Sequence, residues 1–501
     1  MIQHDLKSGN PRHAGTLAII LIVAIGVRAF WWASPGFAID QAQFVAWSEI
    51  SRPGSELNPP GSLSAVYDPR PDASGKRWCN YPPLTIYILR GLAEIYDSLS
   101  PTDQSLNASI VYEILSEKTS AATRRAAAVY KAPAILADAL MGALLFIFLA
   151  QRHPSRRAAA VALAYVLMPA VIHNSTLWGQ VDAIPTLLIV ISLECARRGR
   201  VLWMIAVATL AILTKAQALM MTPLWLAIAV RFALVQEEKP RKDEPRTSVR
   251  AARRTQSASG ITITQRLPLI GAMLAVAAAI ILVVLLPFHA ALDGVWDAYA
   301  GAASYYPFTH LNGFSAWFLG AQMLEPHLDA TPLSAWYVSD ASPIVLGLTP
   351  RTWGLIGLMI VWVCVGVVLW RRRCDAVTLN QAARLLPLAF FVLSTQMHER
   401  YLFPAIAIWA WSYQASRRWC LSWIAIAACA SINAFWAWPG PPDAAWTTTV
   451  ERLVHHTWLG MPPGIWCSVC LITLVALTYL DLLGAPIFLK ERVCDREGSA
   501  V

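Results

Sequence analysis

The sequence predicts an all-α, polytopic membrane protein of about twelve transmembrane helices, with a long helical loop after the first of them. Three observations carry this. The composition is 56% hydrophobic and only 14% charged over 501 residues, with a mean hydropathy of +0.47, which excludes an ordinary soluble domain. Apolar runs recur at the length a membrane demands, about 17–25 residues per span. Arginines collect at alternate ends of those runs.

Residues 15–34 form the first apolar run. They lack a small-residue cleavage site and lead directly into a polar stretch, so they read as a retained span rather than a cleaved signal. A long loop, 35–127, follows; within it 84–96 has apolar residues at helical spacing and reads as an amphipathic helix lying in the interface. Further clear spans are 128–150, 201–214, 218–234, 267–287, 351–370, 419–438 and 464–484. Shorter apolar runs lie at 158–172, 183–195, 385–397 and 401–414. A helix of about 14 residues rises only about 21 Å, less than the hydrocarbon core of about 30 Å. The two short pairs flank His173–Asp182 and His398-Glu399-Arg400, so both polar junctions are expected at shallow membrane depth, lining a protein cavity.

Charge sets the expected orientation. Arg152, Arg156 and Arg157, then Arg197, Arg198 and Arg200, then Arg371 to Arg373, then Arg417 and Arg418 mark the cytoplasmic side. The segment 235–266 carries eight Lys/Arg against four Asp/Glu and reads as a flexible basic linker near anionic headgroups. The region 288–350 has five Asp/Glu, no Lys or Arg, and many aromatics, as suits the opposite, outer face. The layout is a cytoplasmic N-terminus (1–14), a catalytic membrane module (15–234), the linker, a second membrane module (267–484) and a cytoplasmic tail (485–501). The net charge of +9 then reflects topology, with no case for nucleic-acid binding. Of nine cysteines, only Cys79 falls firmly in the outer loops; Cys467 and Cys470 have CxxC spacing inside an apolar helix and read as packed small residues. The outer segments have no Asp-x-Asp, HExxH or paired Cys/His spacing, so no metal is expected. Asn107-Ala-Ser109 and Asn174-Ser-Thr176 match glycosylation acceptor patterns, Asn174 at too great a depth.

Three constellations could carry chemistry. Asp40, just past the first span, is a general base in a partly desolvated cleft, or a helix N-cap; its neighbours Gln43, Trp47 and Glu49 do not decide between them. His398-Glu399-Arg400 can grip a phosphate, or form an internal Glu399–Arg400 pair at a helix end. Trp178-Gly-Gln180-Val-Asp182 offers a ring, a donor and an acceptor to a sugar, or an Asp cap beside an interfacial Trp. Lys215 and Gln217 close another span on the same side, and Lys131 and Asp138, seven apart, could share a helix face.

Asp40-x-Ala-Gln-x-x-x-Trp47-x-Glu-Ile, followed by Tyr81-Pro-Pro-Leu-Thr-x-Tyr87, resembles the first lumenal loop of the dolichyl-phosphate-glucose-dependent glucosyltransferases of asparagine-linked glycosylation. His398-Glu399-Arg400 resembles their late His-Glu-Lys/Arg motif. Asn80-Tyr-Pro-Pro, Trp178 to Asp182 and Met397 to Pro404 are similar to bacterial relatives of the GPI mannosyltransferases. All are GT-C integral-membrane glycosyltransferases, and the resemblance spans about 40–405 in order. It implies a polyprenyl-phosphate-linked hexose donor (mannose or glucose), inversion at the anomeric carbon and no metal or other cofactor. It implies a lipid-linked or envelope glycan acceptor, at a bacterial inner membrane or, alternatively, the endoplasmic reticulum. Asp40 would be the base, with His398, Arg400 and Lys215 at the donor phosphate. Gln43, Trp47, Tyr81, Trp178, Gln180, Asp182 and Glu399 would complete the substrate-binding set. Trp178 to Asp182 departs in wording from the endoplasmic-reticulum members, and 439–463 matches nothing in the family. Residue chemistry agrees: a phosphate, with a second pKa near 6, leaves without a general acid, so a base and fixed cations suffice.

The rival class is a transporter or lipid flippase, but such proteins show internal repeats and helices broken near the midplane, and here the polar motifs gather toward one side. A protein O-mannosyltransferase would carry a paired acidic motif in the first loop, absent from this chain.

Overall fold

A computed structural model describes residues 11–53, 63–67, 79–100, 105–234, 267–301, 306–324, 338–372, 374–441 and 444–485. Residues 1–10, the linker 235–266, the tail 486–501 and the stretches 54–62, 68–78, 101–104, 302–305, 325–337, 373 and 442–443 lie outside the described residues. The architecture is helical. Among the described residues the strands are β1 (His310–Leu311) and β2 (Met397–His398), paired parallel with His310 opposite Met397.

The first half runs α1 (Pro11–Ala29), α2 (Ala38–Ile50), α3 (Pro83–Ser98), α4 (Ala108–Leu115), α5 (Ala121–Ala150), α6 (Ser155–Val166), α7 (Pro169–Ile172), α8 (Ala183–Arg197), α9 (Val201–Thr214) and α10 (Thr222–Leu234). The second runs α11 (Leu267–Leu285), α12 (Leu292–Ala300), α13 (Ala316–Leu324), α14 (Pro350–Arg371), α15 (Ala376–Leu393), α16 (Phe403–Trp411), α17 (Arg417–Ala437), α18 (Thr447–His455) and α19 (Pro463–Leu483). Starts are set by side chains that satisfy the orphan N–H groups of the first turn. Ser120 and Thr123 form a reciprocal capping box on α5, Asp375 accepts from Thr378 N on α15, and Ser416 accepts from Trp419 N on α17.

Among the described residues seven helices are long and apolar enough to cross a membrane, or eight if Ser155–Val166 and Pro169–Trp178, bent by 50°, form one broken span. The expected count of twelve is not reached, because several apolar runs are helices shorter than a full span: α8 has 15 residues, α9 has 14 and α16 has 9. The run at 385–397 is corrected the other way. It is the second half of α15, an 18-residue helix whose first half carries Asn380, Gln381 and Arg384. Those residues hide it from hydropathy, and the fold answers them: Arg384 meets Asp481 of α19 at 3.3 Å, both buried. Leaving either charge alone there would cost about 3–5 kcal/mol.

The lipid-facing surface has a clear signature. The most apolar 18-residue window of Leu267–Ala300 has a mean hydropathy of 3.1, yet only 11% of that window is buried by protein, an arrangement suited to a hydrocarbon solvent rather than water. Helices α5, α6, α8, α9, α15, α16, α17 and α19 share one continuous apolar core spanning both halves. A second core, built on Phe44, Trp47, Tyr67, Ile86, Leu89 and Tyr96 of the loop after α1, also takes in Tyr130 of α5, Phe288 and Val295. It explains why that loop folds into helices. The expected amphipathic helix at 84–96 is α3, and its apolar face is covered by α2, α5 and α9 rather than left for an interface.

Candidate functional site

The site is assembled at the end of the bundle opposite the arginine-rich turns that follow α5 and α8. Asp40 stands in the first turn of α2. The cap position is Phe37 and no side chain caps the helix, so Asp40 is not the N-cap. Its Oδ2 accepts from Trp178 Nε1 at 2.6 Å and from Gln180 Nε2, and Arg400 Nη2 lies 3.8 Å from the same oxygen. Oδ1 has none of these partners and is the open oxygen of the carboxylate. Tyr81 O–H donates to Gln180 Oε1 at 2.9 Å, so the Gln180 amide is fixed at both ends and orients Asp40.

The turn bearing Trp178 and Gln180 is unusual backbone. A π-helical turn, His173–Trp178, ends at Gly179, whose φ of +85° is left-handed. A Cβ at Gly179 would lie 2.5 Å from Gln41 Nε2 and 2.9 Å from Lys131 Cγ. Gln41 Nε2 donates to Gly179 O at 2.9 Å, and buried Lys131 donates to Thr176 O and Trp31 O at 2.6 and 3.1 Å. Lys131 thus pins the turn that holds Asp40. Asp138 serves elsewhere, pairing with Arg28 at 3.2 Å and accepting from Tyr165.

Asp182 occupies the N-cap position of α8 without making a side-chain cap bond. Instead its Oδ1 accepts from Lys215 Nζ, and its Oδ2 lies 3.9 Å from Arg400 Nε. Lys215 sits between the rings of Tyr81 and Tyr401, 5.3 and 5.5 Å from their centroids. Arg400 donates to Glu399 Oε1 at 2.6 Å, so the internal pair does form; yet the same guanidinium also reaches Asp40 and Asp182. Three carboxylates therefore share two cations. His398, in β2, is held by pairing with the loop at 308–314 and by edge contacts with Tyr306 and Tyr401.

The environment biases protonation. Burial acts against the Glu399 carboxylate, but Arg400 and His398 outweigh it and hold its pKa at about 2. Burial and then Arg400 push His398 below its ordinary 6.5, which favours a neutral imidazole. Both depressed values mean that the unfolded chain takes up protons before the folded one as pH falls. Stability is expected to decline from about pH 6.5 downward through His398 and, below about 4.5, through Glu399. Melting of detergent-solubilised Glu399→Gln should show a shallower loss below about pH 4.5; an acid limb identical to wild type would contradict the assignment.

Asp40, Gln43, Tyr81, Lys215, His398 and Arg400 line one cavity of about 280 Å³, with Leu219, Met220, Leu355, Leu358, Trp362 and Phe390 at its apolar part. Gln180, Asp182 and Glu399 lie behind this wall, buried, and act on the residues that face the cavity. Two expected substrate contacts are placed otherwise. Trp47 is 1% exposed and packs on Phe44 and Tyr81 in the loop core. Trp178 stacks on Phe37 at 4.5 Å, with the Arg400 guanidinium over its ring at 5.4 Å, which leaves no open ring for a sugar. Tyr401 entered the sequence reading only within the motif Met397 to Pro404, with no role of its own, and the pair Arg351–Asp340 escaped it, although Arg351 carried a signal: it is the first Arg or Lys after the long basic-free region. A second cavity, of about 360 Å³, lies across the first turn of α2, lined by Phe37, Ile39, Gln41, Glu117, Lys118 and Trp438 among others.

No family model matches this chain, and no curated protein matches it significantly.

Proposed function

We propose that this protein is an inverting glycosyltransferase that moves a hexose from a polyprenyl-phosphate-sugar to a lipid-linked or envelope glycan acceptor, at the outer face of a bacterial inner membrane. One observation carries the reading: a single cavity joins a carboxylate with one open oxygen, three groups suited to a phosphate, and an apolar extension suited to a lipid chain. Asp40 Oδ1 takes the proton of the acceptor hydroxyl as its oxygen attacks the anomeric carbon. The bond from that carbon to the phosphate oxygen breaks on the opposite side, and the phosphate leaves with the electron pair, which inverts the centre. Arg400 and Lys215 face the charge developing on the phosphate, and neutral His398 offers an N–H donor. Trp178 and Gln180 hold Asp40 in position as hydrogen-bond donors to its other oxygen.

The acceptor hydroxyl has to enter the cavity that Asp40 lines, because Asp40 does not line the second cavity across the α2 turn. Mass spectrometry of envelope glycans and glycolipids, with and without the gene, tests the reading. The expected result is one glycan species shortened by a hexose in the deletion, restored by wild type and not by Asp40→Asn. Unchanged glycans, with a lipid or solute redistributed across the membrane instead, would favour a transporter.

A further inference from the structure

Among the described residues, Arg351 is the one cation of the donor cavity that no carboxylate of the Asp40 cluster touches. It lies in the first turn of α14, where Thr349 caps the helix by accepting from Thr352 N. Its Nε and Nη2 donate to Asp340 at 3.0 and 2.7 Å, which leaves Nη1 for the cavity. Asp340 is fully buried and also accepts from Thr395 Oγ1 at 2.9 Å and Gln396 Nε2 at 2.8 Å. Part of its charge is thus met by neutral donors, so less of it is drawn on Arg351. Arg400, by contrast, is shared among Glu399, Asp40 and Asp182. Electrostatically, Arg351 is the freer of the two to meet an incoming anion.

The helix below it repeats a simple pattern. Arg351, Leu355, Leu358 and Trp362 all line the cavity, at steps of four, three and four residues that define one face of α14. That face spans about 16 Å from the guanidinium to the indole. Leu219, Met220 and Phe390 form the facing wall. A cation and a helix N-terminus at the head of an apolar stripe match an amphiphile with an anionic head.

We propose that Arg351 is a ligand for the phosphate of the lipid-linked donor, positioned by Asp340, and that Leu355, Leu358 and Trp362 hold the first part of its chain. This rests on the donor-site reading of the cavity. The test uses full-length protein in detergent, with farnesyl phosphate, inorganic phosphate and farnesol as probes, read by titration calorimetry. Wild type should bind farnesyl phosphate at least tenfold more tightly than either other probe. Arg351→Gln should weaken farnesyl phosphate binding at least tenfold and leave farnesol unchanged. Arg351→Lys should fall between, and Asp340→Asn should weaken binding several-fold by loosening the guanidinium. Because Arg351→Gln strands the Asp340 charge, the double variant Asp340→Asn/Arg351→Gln provides a folded control, in which the loss should persist. Tight wild-type binding that survives in Arg351→Gln and the double variant would overturn the assignment of Arg351 while leaving the donor reading intact. Equal affinity for inorganic and farnesyl phosphate would overturn the chain-binding stripe. Failure of wild type to bind farnesyl phosphate would overturn both this assignment and the donor reading.

Discussion

Asp40→Asn is expected to lower sugar transfer by about 10³-fold, within the range a positioned general base supplies, while leaving the fold nearly intact. The reasoning is geometric. Asp40 touches the fold through Oδ2, which accepts from Trp178 and Gln180. An asparagine can turn its carbonyl oxygen to that side and keep both donors, placing its amide nitrogen where Oδ1 stood. The open atom then carries protons and cannot accept another. Melting temperature should change little, and donor binding should persist. The measurement is turnover of a polyprenyl-phosphate-hexose by purified variant and wild type, with unfolding followed in parallel. Near-wild-type turnover would remove Asp40 from the base role. A collapse in stability would show instead that the carboxylate charge itself holds the turn.

Arg400→Ala is expected to act on both stability and donor use. Its guanidinium lies 2.6 Å from Glu399, 3.8 Å from Asp40 and 3.9 Å from Asp182. Removing it leaves three carboxylates with Lys215 as the remaining cation of the cluster, and stranding buried charge costs about 3–5 kcal/mol. The side chain is 12% exposed, so the lower end of that range applies. Glu399→Gln/Arg400→Gln removes one charge of each sign and should recover much of the stability. The Michaelis constant for the donor should stay raised in the double variant, because the phosphate still lacks its guanidinium. If the double variant recovers donor use along with stability, Arg400 is a structural partner of Glu399 and the phosphate role fails.

Much of this was legible in the chain because hydrophobicity and helical periodicity are local properties. The long apolar helices α5, α11, α14, α17 and α19 fall close to the runs that announce them. Two kinds of helix broke the rule. Helix α15 hides Arg384 inside a membrane-length segment because its partner, Asp481, lies almost a hundred residues away. Helices α8, α9 and α16 read as spans because hydropathy records apolarity and not where a helix ends. The polar motifs announced themselves for the opposite reason: carboxylates, arginine and histidine between apolar runs are costly, so their presence points to a shared cavity.

The sequence by itself determined the helical, membrane-suited class, and it singled out Asp40, Lys215, His398 and Arg400, which do line one cavity. Only the tertiary structure decided which of Asp40's oxygens is open, that Trp178 serves Asp40 rather than a sugar, that Trp47 belongs to the core, and that Arg351 faces the same space. The reason is physical. Residue type and spacing fix what a side chain can do and which face of its helix it shares. Ion pairs and hydrogen bonds between distant segments fix which atom remains to do it.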